Sequence, residues 1–208
     1  MCRSQSPDEL QNLITDCLAI VSQNEFKVLP PYYRRWIYDF TMHNESRNQR
    51  FVVWMGILST EKVLLYWNDN LVDGYSPQAL LDLALNIMRG ELDKHVASFK
   101  YEWSQSILDT NARDDGDRKN TESFFVALAA HETLRTALGG EAFHNLPLIE
   151  SDADENLDYN YSDAAFYAAE VYAGAKYANN FDTDRSYEFW TWWLTEAVPK
   201  AWYEAQLA

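Results

Sequence analysis

The chain has 208 residues and carries 32 acidic against 17 basic side chains, which gives a net charge of −15. Such a charge argues against non-specific binding to nucleic acid or to anionic membranes, because both need clustered Lys and Arg. The apolar fraction of 47% and the aromatic fraction of 15% exclude a disordered chain, which would lack the surface that offsets ordering entropy.

Length and cysteine content predict the architecture and the compartment. A chain of this length is expected to form one domain, residues 1–208, around a sizeable core. Cys2 and Cys17 form no C-x-x-C pair, so neither a disulfide framework nor a zinc site is predicted. No apolar run is long enough to span a membrane, and acidic residues interrupt the first 25 positions, where a signal peptide needs an apolar block. We therefore expect a cytoplasmic protein.

Helical periodicity dominates the first third of the chain. Ser6, Pro7 and Glu9 form a capping box with proline at the first helical position. The stripe that follows is predicted to be core: Leu10, Leu13, Ile14, Cys17, Leu18 and Val21. After Pro30-Pro31, a second helix carries Tyr33, Trp36, Ile37 and Phe40. A third stripe contains Phe51, Trp54, Met55, Leu58, Val63, Leu64 and Trp67.

The rest of the chain is also predicted to be helical. Ser76-Pro77 begins a fourth helix that ends at Gly90. The fifth helix carries Leu92, His95, Val96, Phe99, Trp103 and Ile107; the sixth carries Phe124, Phe125, Leu128, His131, Arg135 and Leu138. An alanine-rich helix capped by Ser162 follows, and a Trp-rich helix begins at Thr183 or Asp184 and is interrupted at Pro199. Without any alternating strand pattern, we predict an all-α, single-domain bundle of about seven or eight helices.

No catalytic or metal-binding motif is complete. Glu141 and His144 form one E-x-x-H, whereas a di-iron bundle needs two. His131 begins an H-E-x-x-H pattern whose last position is Arg135, which cannot bind zinc, so His131 is predicted to be a buried, hydrogen-bonded histidine. Gly-rich phosphate loops and a G-x-S-x-G motif are absent. We expect no enzyme, no metal and no cofactor.

The most acidic segment covers residues 150–163, with six acids and no base. Charges that steer a partner and aromatic rings that anchor it are typical of a binding patch. A solvated loop that aids solubility has the same composition, and this alternative stays open. The candidate contact residues are Asp152, Asp154, Glu155, Asp158, Tyr159 and Tyr161.

Four segments carry a family resemblance. They are E-K-V-L-L-Y-W at residues 61–67, S-P-Q-A-L at 76–80, R-G-E at 89–91 and F-W-T-W-W-L-T-E-A-V-P-K-A-W at 189–202. Together they resemble the mostly α-helical immunity proteins of bacterial polymorphic-toxin systems, of the type called immunity protein 5. The resemblance covers most of residues 45–202. It implies that Trp67, Pro77, Gly90, Trp193 and Pro199 determine the fold and do not contact a partner.

The resemblance implies a cytoplasmic antidote that binds a cognate toxin with a basic surface, often a nuclease. Such a protein needs no catalytic residue, and its negative charge would accelerate association and mimic phosphate. The alternative hypothesis is a helical enzyme or small-ligand-binding protein, with an interior pocket lined by His95, His131 and the Trp-rich helices. A closed core favours the antidote, whereas a deep polar pocket with converging His and Glu favours the alternative.

Overall fold

Nine α-helical segments make up the described part of the chain. The computed structural model describes residues 6–40, 45–68, 75–113, 121–139, 162–174 and 180–207. The segments are α1 (Pro7–Gln23), α2 (Pro31–Asp39), α3 (Glu45–Val63), α4 (Pro77–Met88), α5 (Lys94–Arg113), α6 (Thr121–Leu138), α7 (Ala164–Ala173), α8 (Thr183–Trp192) and α9 (Val198–Leu207). A π-helical turn, Trp193–Ala197, joins α8 to α9, so the described residues form eight continuous helices. The predicted all-α bundle is confirmed.

Helix α6 runs through the middle of the bundle and packs against α3, α4, α5 and α7. Every residue from Val126 to Leu134 is buried, so this part of the helix has no exposed face. Three of the nine are alanines, whose small side chains let neighbouring helices approach on sides that larger residues would block. The predicted apolar stripe of this helix therefore describes only part of its buried surface.

The contact between α3 and α6 is particularly close. A Cβ atom added to Gly56 would lie 2.7 Å from the Oγ1 atom of Thr133, which leaves no room for a methyl group. One turn further along α3, the hydroxyl oxygens of Thr60 and Thr133 are 3.3 Å apart. Both hydroxyl groups donate to carbonyl groups of their own helix, Thr60 to Gly56 and Thr133 to Ala129, so no polar atom of the contact is unsatisfied.

The predicted stripe of α1 is confirmed as core. Leu10, Ile14, Cys17 and Val21 are buried in a cluster that also contains residues of α2, α3, α7, α8 and α9. Burial raises the pKa of the Cys17 thiol to about 12, which makes it unreactive.

A second cluster of buried residues joins α4, α5 and α6 to the opposite side of α3. Helices α3 and α6 therefore separate two apolar layers, and residues of α7 take part in both. The other helices therefore pack on one side or the other of the pair formed by α3 and α6.

The start of α1 and both ends of α4 follow the predicted pattern. The capping box at Ser6 is complete, with hydrogen bonds of 3.3 Å from the Glu9 amide and 2.9 Å to the Glu9 carboxylate. Ser76 accepts a hydrogen bond from the amide of Ala79, and Gly90 follows α4 with a φ of 71°, a left-handed conformation that glycine adopts without strain.

The caps of α7 and α8 correct the prediction. Asp163, and not Ser162, caps α7, because its Oδ1 atom accepts a 2.8 Å hydrogen bond from the Phe166 amide. Helix α8 begins at Thr183, one of the two predicted positions, and is capped by Asp182. Both caps use a carboxylate, which also interacts favourably with the positive end of the helix dipole.

The helix continues through Pro199, and its regular α-helical form is interrupted just before that residue, at Trp193–Ala197. Proline cannot donate a backbone hydrogen bond, and the chain widens to a π-helical turn just before it, where the Val198 amide donates to the carbonyl of Trp193. The Trp193 side chain is completely buried, and its Nε1 atom donates a 3.1 Å hydrogen bond to Ser59 of α3.

The predicted inward face of α5 is wrong for four of its six residues, whereas Leu92 and Ile107 are partly buried against the second cluster. Val96, Phe99 and Trp103 are 58%, 76% and 38% exposed, and His95 is exposed as well. The buried side of α5 consists instead of Ala97, Ser104 and Leu108. Helix α5 packs mainly against α4 and α6, and the small residues allow the close approach to α6.

Within the described ranges, no helix has both the length and the apolarity that crossing a membrane requires.

We expect Gly56→Ala to destabilise the fold by about 1–3 kcal/mol, because the new methyl group overlaps Thr133. Glycine-to-alanine changes in open helices normally stabilise by up to about 1 kcal/mol, so the sign is diagnostic. Urea unfolding of Gly56→Ala, Thr133→Ala and the double variant measures the coupling. Removing the Thr133 side chain should relieve most of the overlap, and additive effects would contradict the steric explanation.

Candidate functional site

A buried ion pair fixes the start of α7. The Arg34 guanidinium, on α2, is 0% exposed, and its Nε atom lies 3.2 Å from the Oδ2 atom of Asp163. The same oxygen accepts a 3.0 Å hydrogen bond from the hydroxyl of Tyr38, while Oδ1 caps α7. Burial, and then the charge of Asp163, keep the pKa of Tyr38 well above its usual value, so this hydroxyl remains a donor.

Aromatic rings complete the surroundings of the buried guanidinium. The centre of the Arg34 guanidinium lies 5.5 Å from the ring of Trp190 and 6.0 Å from that of Phe166, and its Nη1 atom donates a 2.8 Å hydrogen bond to the carbonyl of Leu29. Charge, ring faces and a carbonyl together compensate for the loss of water. The network is structural, since it is closed to solvent.

A second buried polar cluster lies between α5 and α6. His131 is 2% exposed, and its Nδ1 atom is hydrogen bonded to Ser104 Oγ at 2.8 Å. The imidazole also stacks on Tyr101, with ring centres 4.4 Å apart. Burial, and then the charge of Arg135, lower the pKa of His131 to about 4, so the imidazole is neutral at pH 7. The predicted buried, hydrogen-bonded histidine is observed.

Glu132 lies next to this histidine and faces a different partner. Its Oε2 atom is 2.5 Å from Arg135 Nη2, in an ion pair whose side chains are 10% and 18% exposed. Burial raises the pKa of Glu132 to about 8, against the opposing effect of Arg135. Direct contact with the guanidinium favours the ionised form, so the two effects compete at this site.

These buried groups do not form a reaction centre. His95 is exposed on α5, so it shares no interior pocket with His131. A cleft with a volume of about 200 Å³ is lined by Gln49, Arg50, Val53, Ile87, Met88, Lys94 and Ala137, so this cleft contains no histidine and no carboxylate. Among the described residues, no group of three His, Cys, Asp or Glu could hold a metal ion. The alternative of a His- and Trp-lined pocket therefore has no supporting geometry here.

The predicted contact residues cannot be placed. Asp152, Asp154, Glu155, Asp158, Tyr159 and Tyr161 all lie outside the described residues, as do Glu141 and His144. The structure does describe the two helix ends that flank them. The last carbonyl groups of α6 accept hydrogen bonds from Gln49 and Lys94, and α7 begins at the Asp163 cap.

The described surface carries far more acids than bases. Fifteen acidic side chains are exposed: Asp8, Glu9, Asp16, Glu25, Glu61, Asp82, Glu91, Asp93, Glu102, Asp109, Glu122, Asp182, Asp184, Glu188 and Glu196. Only five basic side chains of the same ranges are exposed: Arg47, Arg89, Lys94, Lys100 and Lys200.

Several other cations are engaged inside the fold. Lys62 lies 4.8 Å from the ring centre of Trp192 and Arg185 lies 5.0 Å from that of Tyr172, in addition to the pairs of Arg34 and Arg135 described above. Net charge is consequently concentrated on the outside of the described part. Sequence composition reveals the net charge but not this sorting, which depends on tertiary contacts.

The buried polar groups of this acidic all-α bundle stabilise its fold. The family model described as Immunity protein Imm5 matches residues 14–200. The chain therefore belongs to the Imm5 immunity protein family, which makes it an immunity protein that acts against a toxin. The match begins well before residue 45 and so includes most of α1 and all of α2. No curated protein matches the chain.

We expect Asp163→Asn to lower the free energy of unfolding by about 3–5 kcal/mol, because it removes the carboxylate charge that lies against the buried Arg34 guanidinium. Asparagine still caps a helix, so the substitution isolates the effect of the charge. Asp39→Asn is the matched control, since Asp39 pairs with Arg35 at the surface and should cost less than about 1 kcal/mol. Equal shifts of the two urea midpoints would contradict the role assigned to the buried pair.

The raised pKa of Glu132 predicts a pH dependence of stability. Between the ordinary glutamate pKa of 4.5 and the raised pKa of about 8, the folded chain holds a proton that the unfolded chain has released, so stability should fall as pH rises. The contribution to the slope approaches about 1.4 kcal/mol per pH unit in that window. Urea unfolding between pH 5 and about 8 should show a shallower decline for Glu132→Gln than for the original chain. An identical decline would mean that Arg135 keeps Glu132 ionised.

Proposed function

We propose that this immunity protein neutralises its toxin by stoichiometric binding and that the toxin is a nuclease with a basic active cleft. The observation that carries the proposal is the excess of exposed acids over exposed bases among the described residues, fifteen against five. A nuclease must attract phosphate, and its cleft therefore presents the complementary charge. Binding alone would then block substrate entry.

We assign the contact to the acidic segment between α6 and α7, through Asp152, Asp154, Glu155, Asp158, Tyr159 and Tyr161. The segment contributes charge without any neighbouring base, because residues 141–170 hold eight acids and no Lys or Arg. Carboxylates placed against a basic cleft accelerate association and imitate phosphate, while the two tyrosines add apolar contact area.

In this proposal, the protein acts in the cytoplasm and needs no catalytic residue, metal or cofactor. It makes no direct contact with nucleic acid, since its own negative charge repels phosphate. Its partner is the toxin itself, and protection follows from occupancy of the toxin's cleft.

Co-expression with the product of the adjacent toxin gene tests this function. We expect the chain to restore growth and to elute from gel filtration in an equimolar complex with a catalytically inactivated toxin. Absence of both rescue and complex, with every adjacent toxin tried, would overturn the proposal. A complex with a toxin that cleaves no nucleic acid would overturn the nuclease assignment alone.

In the same assay, Asp154→Asn with Asp158→Asn should reduce the association rate and weaken its dependence on salt. Two like charges removed from a steering surface typically change association several-fold and leave dissociation nearly constant. Asp16→Asn with Glu25→Gln is the matched control, because both residues are exposed on or near α1. Equal association rates for the two double variants would mean that charge acts through the whole protein and not through this segment.

A further inference from the structure

Helix α5 presents an apolar face to solvent. Val96, Phe99 and Trp103 are 58%, 76% and 38% exposed, and their spacing of three and four residues places them on one side of the helix. We call these three side chains the α5 face. Within the described ranges, α5 is the helix that exposes three large apolar side chains within about two turns. The other exposed large apolar side chains stand singly or as a pair: Phe26, Trp36, Leu65, Tyr187, Tyr203 and Leu207.

The α5 face is held in place from behind. On the opposite side of the helix, Ala97, Ser104 and Leu108 are buried, and Ser104 is hydrogen bonded to His131 of α6. The helix therefore cannot rotate to hide the α5 face without breaking a buried polar contact and opening the core. Its exposure is a property of the folded state.

One ring of the α5 face is also restricted in orientation. Trp103 stacks on Tyr75 at a ring-centre distance of 6.0 Å and an angle of 23°, and Tyr75 donates a 3.0 Å hydrogen bond to the carbonyl of Ala127. On the outer side, Lys100 Nζ lies 5.0 Å from the Trp103 ring. A ring fixed in this way loses little conformational entropy when a partner covers it, which is the condition for a binding anchor.

Acidic side chains border the α5 face on one side. Glu102 and Asp109 line a shallow groove together with Tyr101, Gln105, Ser106 and Thr110. The exposed bases nearby are engaged within the chain, since Lys94 donates to the Leu138 carbonyl and Lys100 lies over Trp103. Apolar anchors bordered by carboxylates fit a protein surface that combines an apolar pocket with a basic rim.

The start of α5 lies beside the last described residue that precedes the proposed acidic contact segment. Lys94 of α5 lies beside Gly139, at 3.4 Å from the position of a Cβ atom there, and Gly139 is the last described residue before residues 140–161. Val96 follows Lys94 by two residues, about 200° around the helix, so the α5 face begins at the same end of the helix but on a different side. A partner that contacts both features must therefore span this end of the bundle.

We propose that the α5 face is the apolar anchor of the toxin interface. The partner is a protein with a basic rim around an apolar pocket, and the inference rests on the proposed toxin-binding function. The two features act on different rates: the acidic segment raises the association rate, whereas Phe99 and Trp103 slow dissociation once the complex has formed.

Binding kinetics with the inactivated product of the adjacent toxin gene test the anchor. Phe99→Ala should raise the dissociation rate tenfold or more, as truncating an interface hot spot does, and leave the association rate within about twofold. Trp103→Ala should act in the same direction. Leu65→Ala and Tyr203→Ala are matched controls, because these side chains are 75% and 60% exposed on other elements and should leave both rates unchanged.

The results of these binding measurements distinguish failure of the α5-face proposal from failure of the toxin-binding proposal. Failure of the original chain to bind would overturn both proposals, whereas tight binding that Phe99→Ala leaves within twofold would overturn the anchor alone. Phe99 is 76% exposed, so its variant should keep the original urea midpoint. A dimer of the original chain that Phe99→Ala dissociates, with toxin binding unchanged, would assign the α5 face to self-association and likewise overturn the proposal.

Discussion

The burial of α6 on every side is the constraint on which the rest of the fold depends. A helix without an exposed face must be covered by several neighbours at once, and α3, α4, α5 and α7 supply that cover. Its polar side chains must also find partners inside the protein, because burying an unsatisfied polar group is costly. The Nδ1 atom of His131, Glu132 and Thr133 do so through Ser104, Arg135 and the carbonyl group of Ala129. The central helix thereby determines where the outer helices can lie and which of their residues face inward.

The candidate site follows from this arrangement. Because α5 covers α6 with the small residues Ala97 and Ser104, its larger apolar residues are left on the outside. The C-terminal carbonyl groups of α6 are occupied by Gln49 and Lys94, which fixes the point from which the acidic segment departs. Internal pairing of cations with rings and carboxylates leaves the acids at the surface. The packing of the core therefore determines both which charged side chains and which apolar side chains are exposed.

Much of the fold could be predicted because the local signals were strong. The capping box at Ser6 and the Pro77 and Gly90 pair mark helix ends through hydrogen bonds and φ preferences that lie within a few residues. The face of α5 could not be predicted, since the helix has apolar residues on two sides and only its contact with α6 decides between them. The buried environment of Asp163 was equally invisible, because its partner Arg34 is 129 residues away in the chain.

For the candidate site, composition identified an acidic segment but could not reveal that α5 exposes an apolar face. Phe99 and Trp103 have the spacing of core residues, and periodicity alone assigns such residues to the interior. Their exposure becomes evident only when the volume available against α6 is known. The useful signal in the sequence is the presence of two stripes on one helix, one of large apolar residues and one that contains alanine and serine. The small residues allow a neighbouring helix to approach closely, so the second stripe can be the buried one.

The pairing of Arg34 with Asp163 has a consequence for the order of folding. During synthesis, α2 leaves the ribosome long before residue 163, so its guanidinium must remain in water until the second half of the chain exists. Closing a loop of this length carries an entropic cost that only the assembled rings and carboxylate can offset. The start of α7 therefore forms late, as a joint product of both halves of the chain. An incomplete chain would lack the fixed end from which the acidic segment is presented.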